Sequence, residues 1–109
     1  MTTFIRIDTH HHIMPPRWLE AAGQHIYESA MGIPVEWIRD WSPAQAIEVM
    51  DRTGIGVAVG SVATPSVAFA KGEEARRLAR ECNEYGAKMI ADHPKRFGIF
   101  ATVPMPDSV

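Results

Sequence analysis

Hydrophobic residues recur along the chain with two different periods, and segments of the two kinds alternate. Residues 4–8 (FIRID) alternate apolar and polar positions, which predicts a β-strand. Residues 55–63 (IGVAVGSVA) are apolar on both faces, a pattern typical of a parallel strand buried between two layers. Residues 96–104 (RFGIFATVP) predict a third strand.

A helix is predicted just before the second strand, because its two ends carry the usual signals. Ser42 is suited to cap the helix, Pro43 to its first position, and Gln45 to complete a capping box. Gly54 is suited to end it in a left-handed conformation. An inward face is formed by Ala46, Ile47 and Met50.

A second, longer helix is predicted from about residue 73 to residue 92, before Pro94. Apolar residues recur there at spacings of three and four, namely Ala75, Leu78, Ala79, Cys82, Tyr85, Met89 and Ile90. Cys82 is the single cysteine of the chain, so no internal disulfide forms and we interpret it as a small core residue.

The order strand, helix, strand, helix, strand predicts an α/β fold with right-handed crossovers and a parallel sheet. Between the first strand and the first predicted helix lies a long segment, residues 13–41, with one short helix expected near 16–22. Loops of this length in compact domains are usually functional.

Composition narrows the class of protein. The chain has 109 residues, 46% hydrophobic and 22% charged, which fits one soluble globular domain at most. A net charge of -2 without a basic run argues against nucleic acid as a partner. No apolar stretch approaches the roughly 20 residues that span a bilayer, and residues 1–6 lack the apolar core of a signal peptide. We therefore expect a cytoplasmic protein without a membrane partner.

Three consecutive histidines follow the first strand in the stretch IDTHHHIMPP, residues 7–16. Purification tags are longer uniform runs, so a tag does not explain them. Residues two apart on a strand point to the same side with Cα atoms about 6.5 to 7 Å apart, so His10 and His12 are spaced to bind one metal ion, whereas His11 points away. Neutral imidazole suits zinc and other divalent metals. The alternative is that they are solvated histidines at a strand end.

Several other residues are candidates for this site. Strict alternation places Asp8 on the face of His10, where its carboxylate would orient an imidazole; the alternative is an aspartate bonded to backbone. His93 should lie at the opposite edge of the sheet, and His25 has no partner at ligand spacing. Residues of the long segment could form a pocket for a flat, anionic ligand such as an aromatic acid: Trp18, Trp41 and Arg39, together with Trp37.

For those aromatic residues the alternative is that tryptophans cap the hydrophobic end of a barrel and Arg39 is solvated. Ser61 and Thr64, at the end of the second strand, are placed to reach the same opening.

Three stretches together resemble the metal-dependent amidohydrolase superfamily, and within it the branch of aminocarboxymuconate-semialdehyde decarboxylase and related aromatic-acid decarboxylases. They are IDTHHHIMPP, WSPAQAIEVMDRTGIGVAVGSV and RRLARECNEYGAKMIADHPKRFGIFATVPMPD. The resemblance implies a (β/α)8 TIM barrel in which His10 and His12 bind a divalent metal, usually zinc. A complete barrel takes about 250 residues, so we expect residues 1–109 to be its N-terminal third, about three βα units.

For the intact enzyme the resemblance implies non-oxidative decarboxylation of an aromatic or unsaturated carboxylic acid, a small-molecule substrate, and in many relatives a homodimer. The family's other metal ligand, its further catalytic histidine and its late aspartate have no matching position here, so we expect this chain by itself to be inactive. Two alternatives stay open: a metal-dependent hydrolase of an ester, lactone or amide on the same scaffold, and a non-catalytic assembly module.

Overall fold

The structure is a computed structural model that describes residues 5–29 and 32–106. The elements follow one another along the chain as β1 (Arg6–Ile13), α1 (Pro16–Ala22), α2 (Gln24–Ser29), α3 (Val35–Arg39), α4 (Pro43–Thr53), β2 (Ile55–Val62), α5 (Gly72–Asp92) and β3 (Phe97–Ile99). The strands form one parallel sheet in the order β1-β2-β3, which confirms the predicted α/β class.

Helices α4 and α5 pack on one side of this sheet. Side chains from all three strands, among them Ile13, Ala58 and Phe97, form a buried cluster there with Met50 of α4 and Met89 of α5. We call this the covered side, and the opposite one the open side. Because successive side chains of a strand point to opposite faces, the two sides have different environments.

The ends of α4 follow the local signals in the sequence. The Ser42 side chain accepts a hydrogen bond from the backbone N–H of Gln45 at 3.2 Å, as an N-cap residue does. Gly54 ends the helix with φ 74°, and its N–H bonds to the carbonyl of Met50. Both ends are therefore confirmed as predicted.

Helix α5 begins one residue before the predicted start and ends at Asp92, ahead of Pro94. Gly86 lies on its buried face, and a Cβ there would collide with the Ile99 side chain, so the absence of a side chain lets β3 approach the helix. Cys82 is buried as expected, and burial raises the pKa of its thiol to about 11.

Two strands differ in length from the prediction. β1 continues to Ile13 because the histidines pair with β2, His11 opposite Gly60 and His12 opposite Ser61, so their polarity does not end the strand. β3 ends at Ile99, and the Phe100 N–H still donates to the Gly60 carbonyl at 2.8 Å. Further along, the backbone of Thr102 bonds to a side chain of α5: the carboxamide of Asn83 accepts from its N–H at 2.7 Å and donates to its carbonyl at 2.9 Å.

The segment between β1 and α4 contains the expected short helix, α1, and two more, α2 and α3. It packs on the N-terminal half of α5 through a second buried cluster: Trp18, Ala22, Ile26, Ile38, Val67, Ala70, Ala75, Leu78, Ala79 and Cys82. Among the described residues, no helix is long and apolar enough to cross a membrane.

Candidate metal centre

His10 and His12 lie in the C-terminal half of β1, and the structure brings their side chains together. The two imidazole ring centroids are 5.1 Å apart in an edge-to-face arrangement, and both residues are exposed. Their neighbours His11 and Ile13 contact the residues of the covered side, so His10 and His12 project from the open side.

Strand β2 orients one of these imidazoles. Nδ1 of His12 lies 3.3 Å from the carbonyl oxygen of Ser61 and 3.4 Å from its hydroxyl. When Nδ1 carries the proton, it donates to this carbonyl oxygen, which only accepts hydrogen bonds. In that tautomer the lone pair of His12 lies on Nε2 and is available to a metal.

The described part of the chain, residues 5–29 and 32–106, contains no group of three or more His, Cys, Asp or Glu residues placed to hold a metal. His93 caps the C-terminus of α5 and contacts Phe97 at the start of β3, at the opposite edge of the sheet, as predicted. His25 lies in α2 and stacks on Phe69. The centre therefore consists here of two imidazoles.

The expected position of Asp8 is wrong. Between Asp8 and His11 the strand β1 advances three residues while β2 advances two, from Ala58 to Gly60, so β1 holds one extra residue. The extra residue reverses the alternation, and Asp8 lies with His11 on the covered side. One oxygen of its carboxylate accepts a backbone hydrogen bond from His10 at 3.0 Å. The alternative from the sequence, an aspartate bonded to backbone, describes this contact.

A cavity of about 280 Å³ opens beside His12 at the C-terminal end of β1. Its lining is largely apolar and comes from β1, from the segment after it and from the end of β2: His12, Met14, Ile26, Ile33, Trp37, Ile38, Ala63 and Thr64. The structure thus brings Thr64 to this opening and Ser61 to His12.

Of the residues predicted to form a pocket for an aromatic acid, Trp18, Trp41 and Arg39 do not line this cavity. Trp18 is buried in the cluster against α5, and its indole N–H donates to the carbonyl of Ser66 at 2.7 Å. Trp41 packs near His11, on the covered side. Arg39 is exposed and binds the carboxylate of Asp40, a hydrogen bond that raises the pKa of the guanidinium.

Of the three tryptophans, Trp37 is the one that lines the cavity beside His12. It is 72% exposed, the largest exposure among the large hydrophobic side chains of the described residues. A sequence pattern does not separate it from Trp18 and Trp41, because the difference depends on how the short helices pack. Its position in the sequence, in α3 shortly before α4, was the one feature that distinguished Trp37 from the other two tryptophans.

Comparison with known families agrees with this arrangement. The sequence model of the amidohydrolase family matches residues 7–109, nearly the whole chain. The chain belongs to the amidohydrolase family. Its described sheet is accordingly an N-terminal portion of the family's (β/α)8 barrel.

Two curated relatives of this amidohydrolase chain are decarboxylases. Decarboxylase yanB of Aspergillus niger is 36% identical over 110 residues, which cover 95% of this chain and 28% of the relative. The 6-methylsalicylic acid decarboxylase acuB of Aspergillus aculeatus is 34% identical over 102 residues, which cover 92% of this chain and 29% of the relative. The chain thus spans less than a third of the length of these relatives.

A solved structure shows the same fold. The 5-carboxyvanillate decarboxylase of Novosphingobium aromaticivorans, complexed with manganese and 4-hydroxy-3-methoxy-5-nitrobenzoic acid, superposes with a TM-score of 0.76 at 22% identity. The match covers 92% of this chain and 34% of that one. At this identity the similarity concerns the fold.

Proposed function

We propose that the intact protein is a metal-dependent carboxy-lyase that removes carbon dioxide from an aromatic carboxylic acid. In this proposal the 109-residue chain supplies two metal ligands, His10 and His12, and one wall of the substrate site. One observation carries the proposal: the imidazole rings of His10 and His12 lie 5.1 Å apart, and His12 lines the apolar cavity that Trp37 also lines. The decarboxylase relatives support the reaction type.

The two imidazoles fit a divalent cation. The tautomer of His12 in which Nδ1 donates to the Ser61 carbonyl leaves the Nε2 lone pair free, and His10 lies on the same side of the strand. When bound, the cation supplies positive charge that holds and orients a carboxylate or a neighbouring oxygen of the substrate. Catalytic sites commonly use three or more protein ligands, so the remaining ligands come from outside the described residues.

Zinc and manganese are the two candidates. Imidazole ligands favour zinc in the usual order of divalent affinities, whereas the solved 5-carboxyvanillate decarboxylase holds manganese. We propose zinc for this chain, and elemental analysis of the purified protein separates the two.

The cavity chemistry supports a ring as substrate. Neither Lys nor Arg occurs among its described lining residues, so a carboxylate placed deep in it would lose hydration without a partner. A flat apolar ring is instead accommodated against Trp37, Ile33 and Ile38. The negative end of the substrate is then directed toward His10 and His12. In the reaction the bond from ring carbon to carboxylate breaks, the carbon takes up a proton, and carbon dioxide leaves.

The test uses the full-length protein and a His10→Ala/His12→Ala variant. We expect the wild type to retain a divalent metal after dialysis and to release carbon dioxide from hydroxybenzoates, and the double variant to lose both properties. His93→Ala is the matched control, because it removes an imidazole at the opposite edge of the sheet and should change neither.

Two results would contradict the proposal. Unchanged metal content in the double variant would exclude these ligands. Hydrolysis of lactones, esters or amides without carbon dioxide release would assign the scaffold to a hydrolase.

We retain homodimerisation of the intact enzyme as a prediction, which light scattering of the purified protein tests.

A further inference from the structure

The bulge in β1 lies between Asp8 and His11 and contains Thr9 and His10, one of the two proposed metal ligands. β-Bulges occur often beside active sites, where they re-aim a side chain. We infer that Asp8 and His11 form a clamp on the covered side that holds this bulge and so positions His10 and His12 on the open side. The effect that we expect this clamp to have on metal binding rests on the proposed function.

Asp8 contacts both sides of the bulge with one carboxylate. Its Oδ1 accepts a hydrogen bond from the backbone N–H of His10 at 3.0 Å. Its Oδ2 lies 3.4 Å from Nδ1 of His11. The two contacts join Asp8 to the two residues that follow Thr9, and they span the point where the register shifts. The carboxylate of Asp8 therefore contacts residues on either side of the register shift.

His11, the second residue of the clamp, packs on the covered side against Trp41, just before α4, and Phe97 of β3. Its ring lies 6.2 Å from that of Trp41 and 6.3 Å from that of Phe97, and 16% of its side chain is exposed. Its Nε2 is buried without a hydrogen-bond partner among the described residues. The Asp8 carboxylate lies at the other ring nitrogen, Nδ1, so removing it would take away a polar contact of a largely buried imidazole.

The clamp determines which side chains share the open side. Without the extra residue, strict alternation would place Asp8 with His10 and His12. With it, the carboxylate is directed toward α4, in a cavity that Trp41 and Met50 also line. Asp8 is accordingly a positioning residue that acts on His10 through its backbone N–H.

The test compares Asp8→Ala, Asp8→Asn and Asp51→Ala in the full-length protein. Asp8→Ala removes both contacts, whereas Asp8→Asn keeps an oxygen that accepts from the His10 N–H. Asp51 is the matched control, because its carboxylate also joins distant elements, through Arg96 at 2.7 Å, but lies away from the histidines. The readouts are zinc affinity, the visible spectrum of the cobalt-substituted protein, and hydrogen exchange at the His10 amide.

We expect Asp8→Ala to bind zinc about 10- to 100-fold more weakly, as when outer partners of metal ligands are removed. We expect Asp8→Asn to lose less than about 10-fold, since one of two contacts remains. The cobalt spectrum, which reports ligand geometry, should change in Asp8→Ala and not in Asp51→Ala. Amide exchange at His10 should accelerate in Asp8→Ala and remain slower in Asp8→Asn.

Wild-type zinc affinity and an unchanged cobalt spectrum in Asp8→Ala would overturn the inference. If Asp8→Ala does not fold, Asp8→Asn decides: a His10 amide that exchanges as fast as in the unfolded chain contradicts the backbone contact. If the wild type binds no metal, the proposed function fails, and the clamp is judged by His10 exchange alone.

Discussion

The covered and open sides of the sheet differ sharply although the same strands supply both. On the covered side Ile13 is fully buried and Phe97 is 5% exposed. On the open side Ile7 is 59% exposed, and Phe100, which follows β3, is 56% exposed. In β1 the side on which a residue lies therefore separates residues that stabilise the fold from residues available for chemistry.

The two sides of the sheet contribute differently to stability and to the candidate site. Helices α4 and α5 remove the covered side from water and so supply most of the local stability. The open side corresponds to the interior of a (β/α)8 barrel, which side chains from all eight strands fill together. In the proposed intact enzyme, further elements would bury the apolar residues of this side and supply further ligands beside its histidines.

The largest expected effect compares Ile13 with Ile7. Ile13→Ala removes a fully buried side chain that packs in one cluster with Met50 and should lower the free energy of unfolding by about 2 to 5 kcal/mol. Ile7→Ala removes an exposed side chain and should change it by less than about 0.5 kcal/mol in the 109-residue chain. Urea unfolding followed by circular dichroism measures both.

Equal losses in the two variants of this chain would mean that the open side is covered, for example by a second copy. In the full-length protein we expect Ile7→Ala to become costly as well, because the barrel interior then encloses it.

A smaller effect concerns Cys82, on the helix face that packs in the second cluster. Burial raises its thiol pKa from 9.0 to about 11, so above pH 9 the unfolded chain loses a proton that the folded chain keeps. The free energy of unfolding should therefore be unaffected by this group below pH 9 and fall by roughly 2 kcal/mol as the pH rises to about 11.

Cys82→Ala supplies the comparison, because burial also raises the pKa of Tyr85 and that dependence remains in the variant. Urea unfolding at several pH values gives the two curves. A difference between wild type and variant that does not change with pH would show that the thiol titrates normally in the folded chain.

The smallest expected effect is that of Trp37→Ala on stability. Trp37 is 72% exposed, so the free energy of unfolding should change by less than about 0.5 kcal/mol. Binding of hydroxybenzoates to the full-length protein should weaken about 2- to 10-fold, the contribution of one aromatic contact. Titration calorimetry measures the binding.

Val35→Ala is the control for Trp37, since Val35 is an exposed residue of the same helix that does not line the cavity. A Trp37→Ala protein that binds the acids as tightly as the Val35→Ala protein would remove Trp37 from the substrate wall.

Local signals predicted α4 and α5 well, whereas α2 and α3 were not predicted. Ser42 and Gly54 bound α4 because capping depends on a few neighbouring residues, and the spacing of apolar residues in α5 identified the face that is buried. The pairing of His10 with His12 was also predictable, because it depends on positions two apart in one strand.

Other features depended on contacts between distant residues. Which tryptophan lines the cavity follows from the packing of α1 and α3, so Trp18 and Trp41 were assigned to the wrong environment. After β3 the backbone of Thr102 bonds to Asn83, nineteen residues earlier, and no strand pattern encodes that hydrogen bond.

The sequence by itself determined the α/β order, the ends of α4 and α5, the family and the two candidate ligands, because periodicity, capping residues and short motifs are local properties. Only the tertiary structure decided that Asp8 lies with His11 under the helices while His10 and His12 face the open side. The physical reason is that a strand's side chains take their sides from its register with the neighbouring strand, and one extra residue against β2 reverses them.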